Sequence, residues 1–159
     1  MKNAMEITEG LNDALRAARQ AARQYAVHAN ICRSWGLDRF YEEHRAEAVG
    51  EQHLGEQLLR RLHQISDREA SGLPDYQSPA CISQMLERDL QLERDNLRRH
   101  QRLMRLSREA HDLETEELME SSLLDTEIQI ERLESQLDLI DEIGVDEYIR
   151  ENAEDMQFA

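Results

Sequence analysis

Hydrophobic and small residues recur along this chain at alternating intervals of three and four, the spacing that aligns one face of an α-helix. The first such row is Leu11, Leu15, Ala18, Ala22, Tyr25, Ala29 and Cys32. It predicts a helix over about residues 8–35, closed by Gly36. A second row, Phe40, His44, Glu47, Glu51, Leu54, Leu58, Leu62 and Ile65, predicts a helix over 38–66 with two acids on the face that should be buried. The third row, Ile82, Leu86, Leu90, Glu93, Leu97 and Met104, again carries one acid and places a helix over 80–108. Ser78-Pro79 supplies an N-cap and first-turn pair for it. The fourth row is Glu116, Met119, Leu123, Thr126, Ile130, Leu133, Leu137 and Ile140, a helix over 113–143 that Gly144 ends. A short amphipathic helix follows over 145–153, with 154–159 as a frayed tail.

Only one connection is long, from Asp67 to Pro79 through Ser71-Gly72-Leu73-Pro74. The helices are each about 40 Å long at ~1.5 Å per residue, and the long segment can run the length of a bundle. Two short hairpins joined by a crossover therefore make an all-α four-helix bundle with a small fifth helix.

Composition agrees and narrows the function. Aromatics are 4 % of the 159 residues, and there are only 6 Gly and 2 Pro, which suits helices and disfavours sheet. At 40 % hydrophobic the chain can bury a core. No apolar run approaches the ~18 residues of a membrane span, and Met1 to Glu6 show no signal-peptide pattern, so a cytoplasmic location and no membrane partner are expected. Cys32 and Cys81 have no metal-type spacing and read as two reduced thiols. The net charge of −15 is uneven: residues 1–108 hold 17 basic against 16 acidic side chains, whereas 109–159 hold 18 acidic residues with only Arg132 and Arg150. Nucleic acid is disfavoured as a partner by that charge, and metal cations are not.

Several groups match a known pattern: Leu11-Asn12, Gln24-Tyr25 with His28-Ala29, Trp35-Gly36-Leu37 and Arg39, then Glu47 and Glu51. Further on come Gly72-Leu73-Pro74, Met85-Leu86, Asp89-Leu90, Leu92-Glu93, Leu133-Glu134, Leu137 to Ile140, Gly144 and Tyr148. With these the chain resembles the bacterioferritins, haem-containing members of the ferritin superfamily. The resemblance covers nearly the whole chain and implies a single ferritin-like domain over 1–159. It also implies a 24-subunit cage storing ferric mineral, and a buried di-iron centre that oxidises ferrous ion.

That centre takes one Glu from each of two helices and a Glu-x-x-His from each of the other two, because positions i and i+3 project from one helix face. The resemblance places its ligands at positions 18, 51, 54, 93, 126 and 129, and here these are Ala18, Glu51, Leu54, Glu93, Thr126 and Gln129. Only Glu51 and Glu93 remain. His53 and Glu127 each lie one residue off, about 100° around the helix from the needed direction. Glu51 and Glu93 then read either as a buried pair that shares a proton, binds water or accepts hydrogen bonds from Tyr25 or Arg23, or as a weak site for one divalent ion. Two bare carboxylates in an apolar bundle should push at least one pKa upward. The haem-ligand Met of the family falls on Gln52, so haem is not expected.

Two charged regions remain. Arg94, Arg98, Arg99, Arg102, Arg105 and Arg108 face the sequence Asp112, Glu114, Glu116, Glu117 and Glu120, which reads as ion pairing between antiparallel neighbours. The resemblance adds a channel role for Glu114, Glu116 and Glu117, which would attract incoming Fe²⁺ at threefold channels, and for Glu147 and Arg150 at fourfold channels. The six histidines, His28, His44, His53, His63, His100 and His111, share no common face, and no site is expected from them. The expected function is iron storage by a cage subunit without its own catalytic centre, co-assembling with a competent bacterioferritin subunit. Alternatives are a scaffold without an iron role and an oxidase with a rebuilt metal site. Iron enters as stored mineral or as a weakly bound ion.

Overall fold

The computed structural model describes residues 2–66 and 76–157. Five helices follow in order: α1 (Lys2–Ser34), α2 (Asp38–Ile65), α3 (Ile82–Glu109), α4 (Leu113–Ile143) and α5 (Val145–Gln157). The first four form the bundle. α1 pairs with α2 and α3 with α4, while α1 also lies along α3. Ser71-Gly72-Leu73-Pro74, in the crossover from α2 to α3, lies outside the described residues.

Each hairpin is set by local chemistry. Gly36 takes φ +75°, and the Leu37 amide donates to Cys32 O at 2.9 Å, a Schellman-type closure that turns the chain from α1 into α2. The α3–α4 turn uses the same bond, Asp112 N to Ser107 O at 2.9 Å, with His111 in the left-handed region at φ +56°. Asp112 then caps α4. Its carboxylate accepts from the Thr115 amide at 3.1 Å and the Thr115 hydroxyl at 2.7 Å, and Arg61 of α2 holds it at 2.8 Å. Gly144, at φ +85°, separates α4 from α5. α5 docks through Tyr148, fully buried, whose ring lies 5.7 Å from Phe40 and whose hydroxyl donates to Gln136 at 2.6 Å.

Three boundaries differ from the sequence reading. α1 begins at Lys2, because Ile7 is buried one turn before Leu11 and extends the apolar stripe; Thr8 donates its hydroxyl back to Ala4 O rather than capping the helix. α3 begins at Ile82 after Cys81, not at the Ser78-Pro79 pair. Pro79 is buried, and Gln84 reaches back to accept from the Ala80 amide at 2.6 Å, fixing the helix start there. α5 continues to Gln157, so most of the expected tail is helical.

The interior is layered along the bundle. One apolar end gathers Ile7, Leu11, Leu15, Leu58, Leu62, Leu103 and Met119, and the other gathers Cys32, Phe40, Ile82, Met85, Leu90, Leu133 and Tyr148. Between them lies a buried polar belt containing His28, His44, Asp89, Glu93, Asn96, His100, Thr126 and Gln129. Apolar burial at both ends holds the helices in register and forces the polar side chains of the middle turns to face one another.

Candidate metal centre

The polar belt has two parts. The first contains the carboxylates singled out in the sequence. Glu93 on α3 is 1 % exposed and accepts the Tyr25 hydroxyl at 2.6 Å, and the Gln129 amide donates to that same hydroxyl at 3.4 Å. Glu51 on α2 leaves its Oε2 buried without a hydrogen-bond partner. Glu51 and Glu93 line one cleft of about 740 Å³ between α2 and α4, together with Glu47, Glu117 and Asp125. Burial, followed by the charges of Glu93, Glu47 and Asp125, pushes the Glu51 carboxyl up to about 8. Burial also raises Glu93 to about 7, opposed by the Tyr25 hydrogen bond and reinforced by the charges of Glu47 and Asp89. Glu47 is raised by burial against the pull of Arg132 and His44.

These residues do not fit a di-iron group. Ala18 and Leu54 carry no donor atom, the Thr126 hydroxyl pairs with His100 Nδ1 at 3.5 Å, and the Gln129 amide is spent on Tyr25. Burial and the neighbouring Arg99 lower His100 to about 4, so it is neutral at neutral pH. His53 and Glu127 are exposed; His53 reaches only the wall of the cleft. Gln52 is exposed on α2.

The second part, one helical turn away, was not expected. His28 of α1, His44 of α2 and Asp89 of α3 meet in the interior, each 3 % exposed or less. His28 Nδ1 lies 2.8 Å from Asp89 Oδ1, and His44 Nε2 lies 2.8 Å from Asp89 Oδ2. Gln24 donates a further bond to Oδ1 at 2.9 Å. One donor atom from each of the three residues falls within 4.8 Å of the others, so the set could hold a metal ion such as iron. Burial disfavours ionisation of Asp89, but its hydrogen bonds with His28 and His44 outweigh this and hold it below the usual carboxylate range. For His44, burial lowers and the hydrogen bond and charge of Asp89 raise the pKa, with a net rise.

The sequence did contain a signal for this cluster. His28 is three residues after Tyr25, Asp89 four before Glu93, and His44 three before Glu47, so each sits one turn along the same inward faces.

Comparison with known proteins bears on both parts. The family model of the ferritin-like domain matches residues 8–143. The chain belongs to the ferritin-like family. This ferritin-like chain is 32 % identical to a bacterioferritin of Brucella melitensis over 159 aligned positions, covering 96 % of each chain. It is 30 % identical to a bacterioferritin of Mycolicibacterium paratuberculosis, over 93 % of this chain and 94 % of that one, and 29 % identical to a bacterioferritin of Rhodobacter capsulatus over essentially the full length of both. It is thus a homologue of bacterioferritins whose metal-ligating set is reduced.

The charged residues named for channels lie as follows. Glu114 is paired with Arg61 at 2.8 Å and Glu116 with Arg108 at 2.6 Å, and Glu117 is exposed at the rim of the cleft. Glu147 and Arg150 pair within α5 at 3.0 Å. Between α3 and α4, Arg94 also bridges to Glu134 at 3.1 Å, while Arg98 pairs with Asp95 on its own helix. Cys32 is buried with its thiol bonded to Met85 sulfur at 3.5 Å, and Cys81 is exposed; both are free thiols. Among the described residues no helix is long and apolar enough to cross a membrane.

Proposed function

We propose that this chain is a shell subunit of a bacterioferritin-type cage of 24 subunits, handling iron as cargo in the cytoplasm without a ferroxidase or haem centre of its own. A second, catalytically competent subunit would oxidise the iron, and this one would contribute wall, acidic surface and mineral nucleation. One observation carries the reading: all four bundle helices are present, yet Ala18, Leu54, Thr126 and Gln129 occupy four of the six positions where the family's ligands fall. A centre that neutralises two ferrous ions with carboxylates cannot be built from Glu51 and Glu93 alone. Native mass spectrometry of the complex isolated from its own cells tests this. A cage-sized particle holding two kinds of chain together with iron is the expected result; a dimer of this chain free of iron would defeat it.

Iron handling then falls to surface carboxylates. The start of α4 brings Glu114, Glu116 and Glu117 within one turn, and clustered acids concentrate divalent cations most strongly at low ionic strength. In mixed cages, changing all three to Gln should slow iron uptake several-fold in low salt, with the difference shrinking in high salt. An unchanged uptake rate would remove the channel role. The Glu147–Arg150 pair would stiffen the opening formed by α5.

A further inference from the structure

The three-residue cluster of His28, His44 and Asp89 contains a constraint beyond mere proximity. His44 Nδ1 lies 2.8 Å from Phe40 O, and a carbonyl oxygen only accepts, so Nδ1 carries a proton. Nε2 of the same ring points at Asp89 Oδ2 at 2.8 Å. With a bare Nε2, two lone pairs would face each other at that distance inside the protein, an arrangement that is repulsive and unscreened. A positive centre must therefore lie between them, and it is either a proton or a metal ion. The bond from Nδ1 to a backbone carbonyl is also the outer-sphere contact that fixes ring orientation in histidines that ligate metals. At the other carboxylate oxygen, Oδ1, His28 Nδ1 stands at the same 2.8 Å, and His28 Nε2 is buried without a hydrogen-bond partner.

We propose that this cluster is a single-ion site for a divalent cation of the Zn²⁺, Co²⁺ or Fe²⁺ class, which replaces the proton between His44 and Asp89 and cross-links α1, α2 and α3. Two imidazoles and one carboxylate are the donor set that borderline cations select over Mg²⁺ or Ca²⁺. Ligands at about 2.0–2.2 Å from a tetrahedral ion stand about 3.4 Å apart. The donor atoms here lie within 4.8 Å, so loading asks for side-chain shifts of about 1 Å, which rotation of the rings can supply. The three residues are 0 %, 3 % and 0 % exposed, and none of them lines the cleft at Glu51 and Glu93. The role is accordingly structural: the ion ties three helices at the level where the apolar core gives way to the polar belt. It stands apart from the iron-storage reading and survives if that reading fails.

Titrating Co²⁺ into the full chain, after dialysis against a chelator, reads the site directly. The expected result is visible d–d absorption of low-symmetry Co²⁺ saturating at one ion per chain. Zn²⁺ at a hundredfold excess over its Kd should raise Tm by about 5 °C or more. His44→Gln and His28→Gln should each abolish the spectrum and the Zn²⁺-dependent rise in Tm; using both guards against one of them failing to fold. The double variant Glu51→Gln/Glu93→Gln should leave the spectrum intact. Absence of the spectrum and of the Tm rise in the parent chain overturns the proposal, as does a signal that persists in the histidine variants and disappears in the glutamate pair.

Discussion

Ala18→Glu, Leu54→His, Thr126→Glu and Gln129→His, introduced together, are expected to give a chain that oxidises about two Fe²⁺ per subunit rapidly, well above its parent. The bundle needs little rebuilding for this. Ala18 borders a cavity of about 250 Å³ that also touches Ala22, Gly55 and Glu51, so a longer side chain at position 18 has room to extend toward Glu51. Thr126 and Gln129 already point inward, each 5 % exposed, and Glu93 is in place beside Tyr25. Without metal the variant should lose stability, because two more carboxylates are placed in a belt where burial already raises those present. Divalent metal should restore its Tm. Stopped-flow absorbance of the ferric product, with Co²⁺ binding as a check on occupancy, measures the gain. A folded variant that binds metal and still oxidises iron no faster than its parent would show that more than the four side chains separates this chain from an oxidase.

The second large effect is a pH-dependent stability carried by Glu51. Its folded pKa is about 8, against an ordinary carboxyl value of 4.5. Below 4.5 the folded and unfolded states both hold the proton, and the residue contributes no pH slope. Between 4.5 and about 8 the unfolded chain has released it while the folded chain has not, so stability falls as pH rises through this window. Above it the full loss is present, on the order of 5 kcal/mol at about 1.4 kcal/mol per pH unit. Glu51→Gln removes the ionisable group at nearly constant volume and should make the profile shallower, leaving the slope that Glu93 and Glu47 contribute, and raise stability at pH 8 while leaving it almost unchanged at pH 4.5. Urea melts at the two pH values check this. Equal destabilisation at both would mean that Glu51 acts through its shape or hydrogen bonding and not through its charge.

Most of the fold was legible in the sequence because the signal repeats. Each long helix offers seven or more turns in which the three-four spacing recurs, and Gly36 and Gly144 mark breaks that the backbone realises with positive φ. The helix starts were less legible because they depend on single contacts. The first helix reads as starting near residue 8 until Ile7 is seen to be buried, and Ser78-Pro79 resembles a cap until Gln84 is seen to bond back to Ala80. The candidate site divides in the same way. Glu51 and Glu93 stood out as acids inside apolar rows, and the Tyr25 hydrogen bond to Glu93 and the upward-shifted carboxyls follow from that placement. The cluster of His28, His44 and Asp89 did not stand out. It is assembled from one polar residue on each of three helices, and its existence depends on how α1, α2 and α3 are set lengthwise against one another. No helical period encodes that register.

We propose that this ferritin-like chain handles iron without oxidising it. Aerobic Fe²⁺ oxidation by the purified chain alone, followed by stopped-flow absorbance over additions of a few Fe²⁺ per subunit, tests it most directly. The expected trace follows the buffer control at every ratio, with no fast phase that saturates at a fixed number of irons per chain; a fast, stoichiometric phase from the parent chain alone would contradict the claim.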